Sequence, residues 1–404
     1  MQRQISVQIT SFNTTFKKDS VSSTVQKCIT NIINEENYIS YNVDDKIFQL
    51  DGAGFLGILC EVNVKGQTTK GNKETRLFLK IIVPNQHLSL LSLPDAYKKE
   101  LFVYKELSQV LTELQEEVNI PIRDRYKFVK HYEESDKFVI ILENMKQRGF
   151  GTVPRMDAVT IEFAELTVKE LAKFHALSFA LEQRRPNYFD GKIKTITQPF
   201  NFDDDWKVYV RNMCEMTLTH LDKDSREKLE AFIPLIFEKH PGYLNDVTTR
   251  RSLCHGDYRA GNILMKEING KVTDFIAVDY QFLHYGCPVL DILYFIYTNT
   301  DQQFRKAHLS HLKDLYHNTL RSFLAYFNID VESVYSKELF EQEFKEKLDY
   351  GLVVGFMILP LALVNADDAP DLTGDVSGIS FQVSDLYRNR QRGIIEEFTE
   401  LGYI

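Results

Sequence analysis

Leu253 to Tyr280 reads LCHGDYRAGNILMKEINGKVTDFIAVDY, and three polar residues stand out from this mostly apolar stretch: Asp257, Asn262 and Asp279. Phosphoryl transfer requires such a set: one carboxylate to orient a hydroxyl and accept its proton, and two oxygen ligands to hold a metal against phosphate oxygens. Asn269-Gly270 lies between two strand-like runs, the strongest short-range signal for a two-residue hairpin. With that turn setting the register, Ile268 faces Lys271, Asn262 faces Ala277, and Asp279 lies one diagonal step from Asn262. The Asn262 amide oxygen and the Asp279 carboxylate are then expected on one side of the hairpin mouth, about 7 Å apart at the backbone. Magnesium, a hard cation that keeps several waters and takes one or two protein oxygens, suits that pair. Asp257 follows Gly256, whose backbone freedom suits a tight loop, and is the candidate general base. The plain alternative is an acidic hairpin whose Asp and Asn only cap turns.

A base and two metal ligands need a phosphate cover and a lysine from elsewhere. Asp51 to Gly57 reads DGAGFLG, with Gly52, Gly54 and Gly57 in G-x-G-x-x-G spacing. A dinucleotide fold would start a helix there, whereas GILCEVNV continues with alternating β-branched residues, so a strand-turn-strand loop over phosphates is the better reading. A Gly-rich hairpin without a ligand is the alternative. Lys80 lies inside LFLKIIV, where an ammonium must find a partner or suffer desolvation. In the following helix Tyr97, Leu101, Tyr104 and Leu107 form an inward stripe at 3- and 4-residue spacing, with Glu100 beside it and Glu106 pointing elsewhere. Lys80 is therefore expected to pair with Glu100 and to reach the α and β phosphates; a snorkelling surface lysine is the competing reading.

The elements that must position these residues change character near residue 145. Before it come short β-rich runs and one helical stretch from about Ala96 to Glu116; after it come long helical patterns such as Ala164 to Leu181 and Lys207 to Leu221. The expected fold class is α+β in two lobes, a small antiparallel sheet with one helix and a larger, mainly helical part carrying the catalytic hairpin. The boundaries are set at 1–142, a linker at 143–150, and 151–404. With 404 residues, 44% hydrophobic and 26% charged, the chain has the balance of an ordinary globular protein. A formal charge of −9 offers no bulk attraction for nucleic acid or anionic membrane. Five scattered cysteines without a C-x-x-C argue against a disulfide framework or zinc module, and the N-terminus lacks a signal-peptide core, so a cytoplasmic location is expected. The run Gly351 to Val364 is too short to span a bilayer and reads as a buried helix.

Taken in order, LFLK, KELFVY, ILENMKQRGF, LAKFHALS, LCHGDYRAGN, VDYQ and CPVLDILYF resemble the ecdysteroid kinase-like (choline-kinase-like) small-molecule phosphotransferases of the protein-kinase-like superfamily. The resemblance implies a two-lobed kinase fold with ATP in the cleft and a hinge at Glu143, Asn144 and Met145. It also implies Asp257 as base, Asn262 and Asp279 as magnesium ligands, and Asp291 as a buried acid bracing the catalytic loop. There are two departures: Arg259 stands where the family usually has Trp, and Asp279-Tyr280-Gln281 replaces Asp-Phe-Gln. Arg259 is a candidate to offer its guanidinium to the transferred phosphoryl group.

The expected activity is transfer of the γ-phosphate of ATP, with Mg2+, to a hydroxyl of a small molecule such as an ecdysteroid or another lipophilic alcohol. A catalytically silent binding protein of the same fold is the alternative, and its mark would be loss of the lysine or of a metal ligand. Protein phosphorylation fits poorly, because HGD replaces HRD and neither D-F-G nor A-P-E appears. Of the other polar residues, Asp203 to Asp205 read as helix-capping, His175 as a packed histidine, His255 as a loop-holding residue and Cys254 as a non-nucleophile. Asn365 to Asp375 reads as a solvated loop, with a flap over the substrate as the other reading.

Overall fold

The computed structural model describes residues 20–48, 57–82, 90–153, 159–368, 370 and 379–404. Four antiparallel strands come first, β1 (Tyr38–Phe48), β2 (Ile58–Thr68), β3 (Gly71–Ile81) and β4 (Val139–Glu143), in that spatial order. Period-2 alternation divides their side chains between two faces. Cys60, Val62, Leu77, Leu79, Val139 and Ile141 form one apolar face. Leu59, Phe78, Lys80 and Leu142 line the cleft on the other.

One element was not anticipated: helix α1 (Ser20–Glu35) covers the first of those faces with Val25, Cys28, Ile29, Ile32 and Ile33. Their 3- and 4-residue spacing is the signature of such a stripe. The expected helix from Ala96 to Glu116 is α2 (Leu93–Phe102) and α3 (Ser108–Glu117), joined by a wide π-type turn over Val103–Leu107. Ser92 caps α2 by accepting from the Asp95 N–H. The wide turn advances the phase of the stripe, so Val103, Tyr104 and Leu107 are buried while Leu101 is only half-buried.

Past β4, a 3-10 turn over Met145–Arg148 ends at Gly149, whose φ of 82° is left-handed, and β5 (Phe150–Thr152) follows. β5 pairs with β7 (Ile263–Ile268), and β7 pairs with β8 (Lys271–Ala277). The short strands β6 (Ser252–Cys254) and β9 (His284–Gly286) form a separate pair. Helix α4 (Ile161–Arg184) and the helices Pro288–Asn299, Gln302–Ala325 and Tyr350–Met357 build the larger core, and every residue of Pro288–Asn299 is buried. The apolar run from Gly351 lies in that core as Tyr350–Met357 and then Leu359–Ala362. Among the described residues no helix is long and apolar enough to cross a membrane.

The hairpin register corrects the sequence expectation. The turn pairs Ile268 with Lys271 as expected, but a bulge between Lys266 and Glu267 shifts the ladder so that Ile263, not Asn262, faces Ala277. One extra residue moves each later side chain one step, and the diagonal argument for Asn262 and Asp279 fails on those terms. The backbone restores what the register loses: Asp279 adopts a left-handed conformation with φ 69° and ψ 65°, just beyond the strand.

Candidate active site

The loop of His255, Gly256 and Asp257 is held from below by one buried acid. Asp291, in the first turn of Pro288–Asn299, accepts the backbone N–H of His255 (2.6 Å) and of Gly256 (2.9 Å) through its two oxygens. Burial opposes that negative charge, but the hydrogen bond and charge of His175 outweigh it and keep the Asp291 pKa low. His175 itself is packed, its Nδ1 at 2.7 Å from Tyr316 Oη and its Nε2 at 3.2 Å from Asp291. Gly256 turns the loop with φ 81°, and a Cβ there would sit 2.2 Å from the Phe282 carbonyl oxygen, so no other residue fits. His255 tethers the loop to the hairpin: its Nδ1 accepts the Asp257 N–H (3.3 Å), leaving Nε2 to donate to Val278 O (3.1 Å). Burial lowers its pKa and keeps it neutral. Cys254 is fully buried and its thiol pKa is pushed well up by burial, which suits packing and not attack.

Asp257 is gripped by three donors. Tyr294 Oη donates to Oδ1 (2.6 Å), Asn262 Nδ2 to Oδ2 (2.7 Å), and Arg259 Nε to both oxygens (3.1 and 3.3 Å). Asn262 also donates to the Asp257 carbonyl (2.9 Å), which commits its amide nitrogen and leaves the amide oxygen as the atom that could hold a metal. Sequence reasoning missed Tyr294, although it lies three residues after Asp291 on the same helix face. Asn299, which accepts the Ala260 N–H (3.0 Å), was missed as well.

Lys80 comes from the other sheet. Its Nζ donates to Glu100 Oε2 (2.7 Å) and to Asp279 Oδ1 (2.8 Å), joining β3, α2 and the end of the hairpin at one buried point. Burial works against the ammonium, yet the two carboxylates raise its pKa; burial likewise opposes the Asp279 charge, and Lys80 and then Arg259 outweigh it. Burial raises the Glu100 pKa, and the Lys80 ammonium holds it back. Glu106 points away, paired with Lys192 (3.4 Å).

A cavity of about 860 Å³ runs between the two parts, lined by Gly57, Lys80, Glu100, Glu143, Asn144 and Met145 on one side. Asp257, Arg259, Asn262 and Asp279 line the other. Gly57 has φ 132°, and a Cβ on it would meet the Ile81 carbonyl oxygen at 2.6 Å. Gly52 and Gly54 lie outside the described residues, as do positions 369 and 371–375 of the proposed flap; Asn365 lines the cavity. Asp203 caps the helix Asp204–Leu218 by accepting the Trp206 N–H (3.1 Å).

The ecdysteroid kinase-like family model matches residues 51–329. The chain belongs to the ecdysteroid kinase-like family. No curated protein matches this family member. Among solved structures it is similar to an ethanolamine kinase of Plasmodium vivax, at 12% identity over 90% of this chain and 84% of that one, with a TM-score of 0.40. It is also similar to an aminoglycoside phosphotransferase of Streptomyces rimosus (10%, 75% and 97%, TM-score 0.36). A glucosamine kinase in complex with glucosamine, ADP and inorganic phosphate is a third (13%, 79% and 91%, TM-score 0.34). In this ecdysteroid kinase-like chain Tyr280 is accommodated by partners: it donates to Ala277 O (3.2 Å), so Tyr126 is the donor in the 2.8 Å contact between the two hydroxyls.

Burial alone drives the His240 pKa down to about 3, against 6.5 in an unfolded chain. Below pH 6.5 the unfolded state then binds the extra proton, so stability present above that pH is lost as pH falls toward 3, at about 1.4 kcal/mol per unit. Melting curves from pH 7 to 4 should show a steeper decline for the wild type than for His240→Phe; parallel curves would remove His240 from the account.

Proposed function

We propose that this protein is an ATP- and magnesium-dependent kinase that phosphorylates a hydroxyl group of a small molecule, with 1–142 and 151–404 as lobes and 143–150 as hinge. The observation that carries this reading is the Lys80 ammonium bonded at once to Glu100 and Asp279. A lysine so placed can grip phosphate oxygens without losing its partner carboxylate.

Asp257 is the base. A carboxylate offers roughly four lone-pair positions, and three donors leave room for an incoming hydroxyl. The acceptor oxygen forms its bond to the γ-phosphorus as the bond to the β–γ bridging oxygen breaks, the hydroxyl proton passes to Asp257, and ADP leaves. The Asn262 amide oxygen and the Asp279 carboxylate are hard donors of the kind magnesium prefers, and they are the residues that would hold it. Bound there, magnesium neutralises phosphate oxygens. Glu143 to Met145 would seat the base of the nucleotide, with Leu59 and Val278 as apolar neighbours in the cavity wall. Gly52, Gly54 and Gly57 would cover the phosphates. An ecdysteroid or another lipophilic alcohol is the acceptor class we favour.

The test is ATP consumption across a panel of steroid, sugar and amino-alcohol acceptors, alongside a melting shift with ATP and magnesium. Ligand at about 100 times its dissociation constant should add about 2.7 kcal/mol. No shift and no turnover would leave a silent binding protein.

Arg259, tethered to Asp257 through Nε, is proposed to turn its guanidinium to the transferred phosphoryl group. Arg259→Trp, which restores the residue usual in the family, should lower kcat about 10²-fold, the cost typical of removing one transition-state donor. Unchanged kinetics would leave the arginine without a catalytic part.

A further inference from the structure

Asp279, the proposed cation ligand, stands in a left-handed backbone (φ 69°, ψ 65°), a region that costs a residue other than glycine free energy. Just before it the chain is fixed twice. The Val278 N–H donates to Asn262 O (2.9 Å), and Val278 O accepts from His255 Nε2 (3.1 Å). The Asp279 carboxylate itself is bonded to Lys80, the ammonium proposed to grip phosphate. Once that ammonium is shared with phosphate oxygens its grip on Asp279 weakens, and a hold that does not pass through Lys80 then matters.

The next residue supplies one. Tyr280 is fully buried, and its hydroxyl reaches back past Asp279 to donate to Ala277 O (3.2 Å) while accepting from Tyr126 Oη (2.8 Å). Tyr126 is fixed in turn: its N–H donates to Gln115 Oε1 (2.8 Å) and its carbonyl accepts from Gln115 Nε2 (3.2 Å), with Gln115 buried on α3. The turn at Asp279 is thus tied to a helix far away in the chain. Packing alone does not ask for the hydroxyl. The Tyr280 ring lies 4.8 Å from His255, 5.9 Å from Tyr104 and 6.0 Å from Phe128, centre to centre, and a phenylalanine ring would keep those contacts. It would lose both hydrogen bonds.

We propose that the hydroxyl clasp of Tyr126, Tyr280 and Ala277 presets Asp279 for its cation, which makes Tyr280 and Tyr126 positioning residues for metal-dependent nucleotide binding. The inference rests on the kinase reading and deepens it to how the metal ligand is prepared. A site whose competent conformation is only partly populated binds more weakly by that fraction, so loosening the turn should appear as lost affinity.

The probe is a non-hydrolysable ATP analogue, titrated by calorimetry with magnesium and again with EDTA, so that no turnover is involved. Tyr280→Phe should lower the affinity measured with magnesium about five-fold, the equilibrium equivalent of one ordinary hydrogen bond, and leave the affinity in EDTA as in the wild type. Tyr126→Phe should lower it less, because the Tyr280 bond to Ala277 O survives. The double variant separates positioning from packing. Melting temperature should fall in Tyr280→Phe, which strands the buried Tyr126 hydroxyl, and return toward the wild type once both hydroxyls are gone. The metal-dependent affinity should not return with it. Unchanged affinity with magnesium in Tyr280→Phe would overturn the inference, as would an equal loss in EDTA or an affinity that recovers with stability in the double variant. If Tyr280→Phe does not fold, the double variant carries the same decision. The two readings fail distinguishably: a wild type that binds the analogue neither with magnesium nor without it sinks the kinase and the clasp together, whereas magnesium-dependent binding shared equally by all variants sinks the clasp alone.

Discussion

Asp257→Asn is expected to lower kcat by about 10²- to 10⁴-fold, the usual cost of removing a positioned general base, with little change in the KM for ATP. Asparagine keeps the size of the side chain but cannot take a proton from the acceptor. Tyr294 Oη and Arg259 Nε would still find the amide oxygen, whereas the Asn262 amide, which now donates to Oδ2 at 2.7 Å, would confront a second NH2 group unless the new side chain turns over. A melting temperature near that of the wild type should accompany the kinetic loss. Turnover within a few-fold of the wild type would remove Asp257 as base and reopen the choice of proton acceptor.

Lys80→Met has the second large effect, and it divides into two parts. The ammonium is the bonded cation of Glu100 and Asp279, and Glu100 is 2% exposed. Removing one partner of a buried ion pair typically costs about 3–5 kcal/mol, because the charge left behind is neither hydrated nor paired. Met keeps the apolar stem packed, so the loss reflects charge. Adding Glu100→Gln should recover part of the stability by removing the stranded carboxylate, but it should not recover turnover, since the ammonium proposed to grip phosphate is still absent. A double variant no more stable than Lys80→Met would show that the pair is not the source of the loss. Restored activity would remove Lys80 from the nucleotide site.

The sequence carried a good deal of this. Lys80 inside LFLKIIV had to find a carboxylate, and the helical stripe nominated Glu100 over Glu106; both follow from desolvation and the 3.6-residue period, which are local rules. The Asn269-Gly270 turn was equally legible, because a type I′ turn demands positive φ, and both residues adopt it at 53° and 73°. The ladder beyond the turn was not. A bulge between Lys266 and Glu267 shifts the register, and bulges leave little mark in a single sequence. Asn262 and Asp279 therefore both line the cleft with a left-handed backbone at Asp279 and without the diagonal pairing expected from the turn. Helix α1 is legible in its spacing; the wide turn over Val103–Leu107 is not, since it answers to packing of Tyr104 and Leu107 against the larger core.

By itself, then, the sequence determined which residues could do chemistry and in which elements they sit, because burial cost, periodicity and turn geometry act over a few residues at a time. Only the tertiary structure decided what surrounds them: Tyr294 and Arg259 on Asp257, Asp279 shared with Lys80, and Trp206 beside His240 among the residues that line the cavity. Those neighbours come from segments far apart in the chain. Their meeting depends on how whole helices pack, and no local rule carries that information.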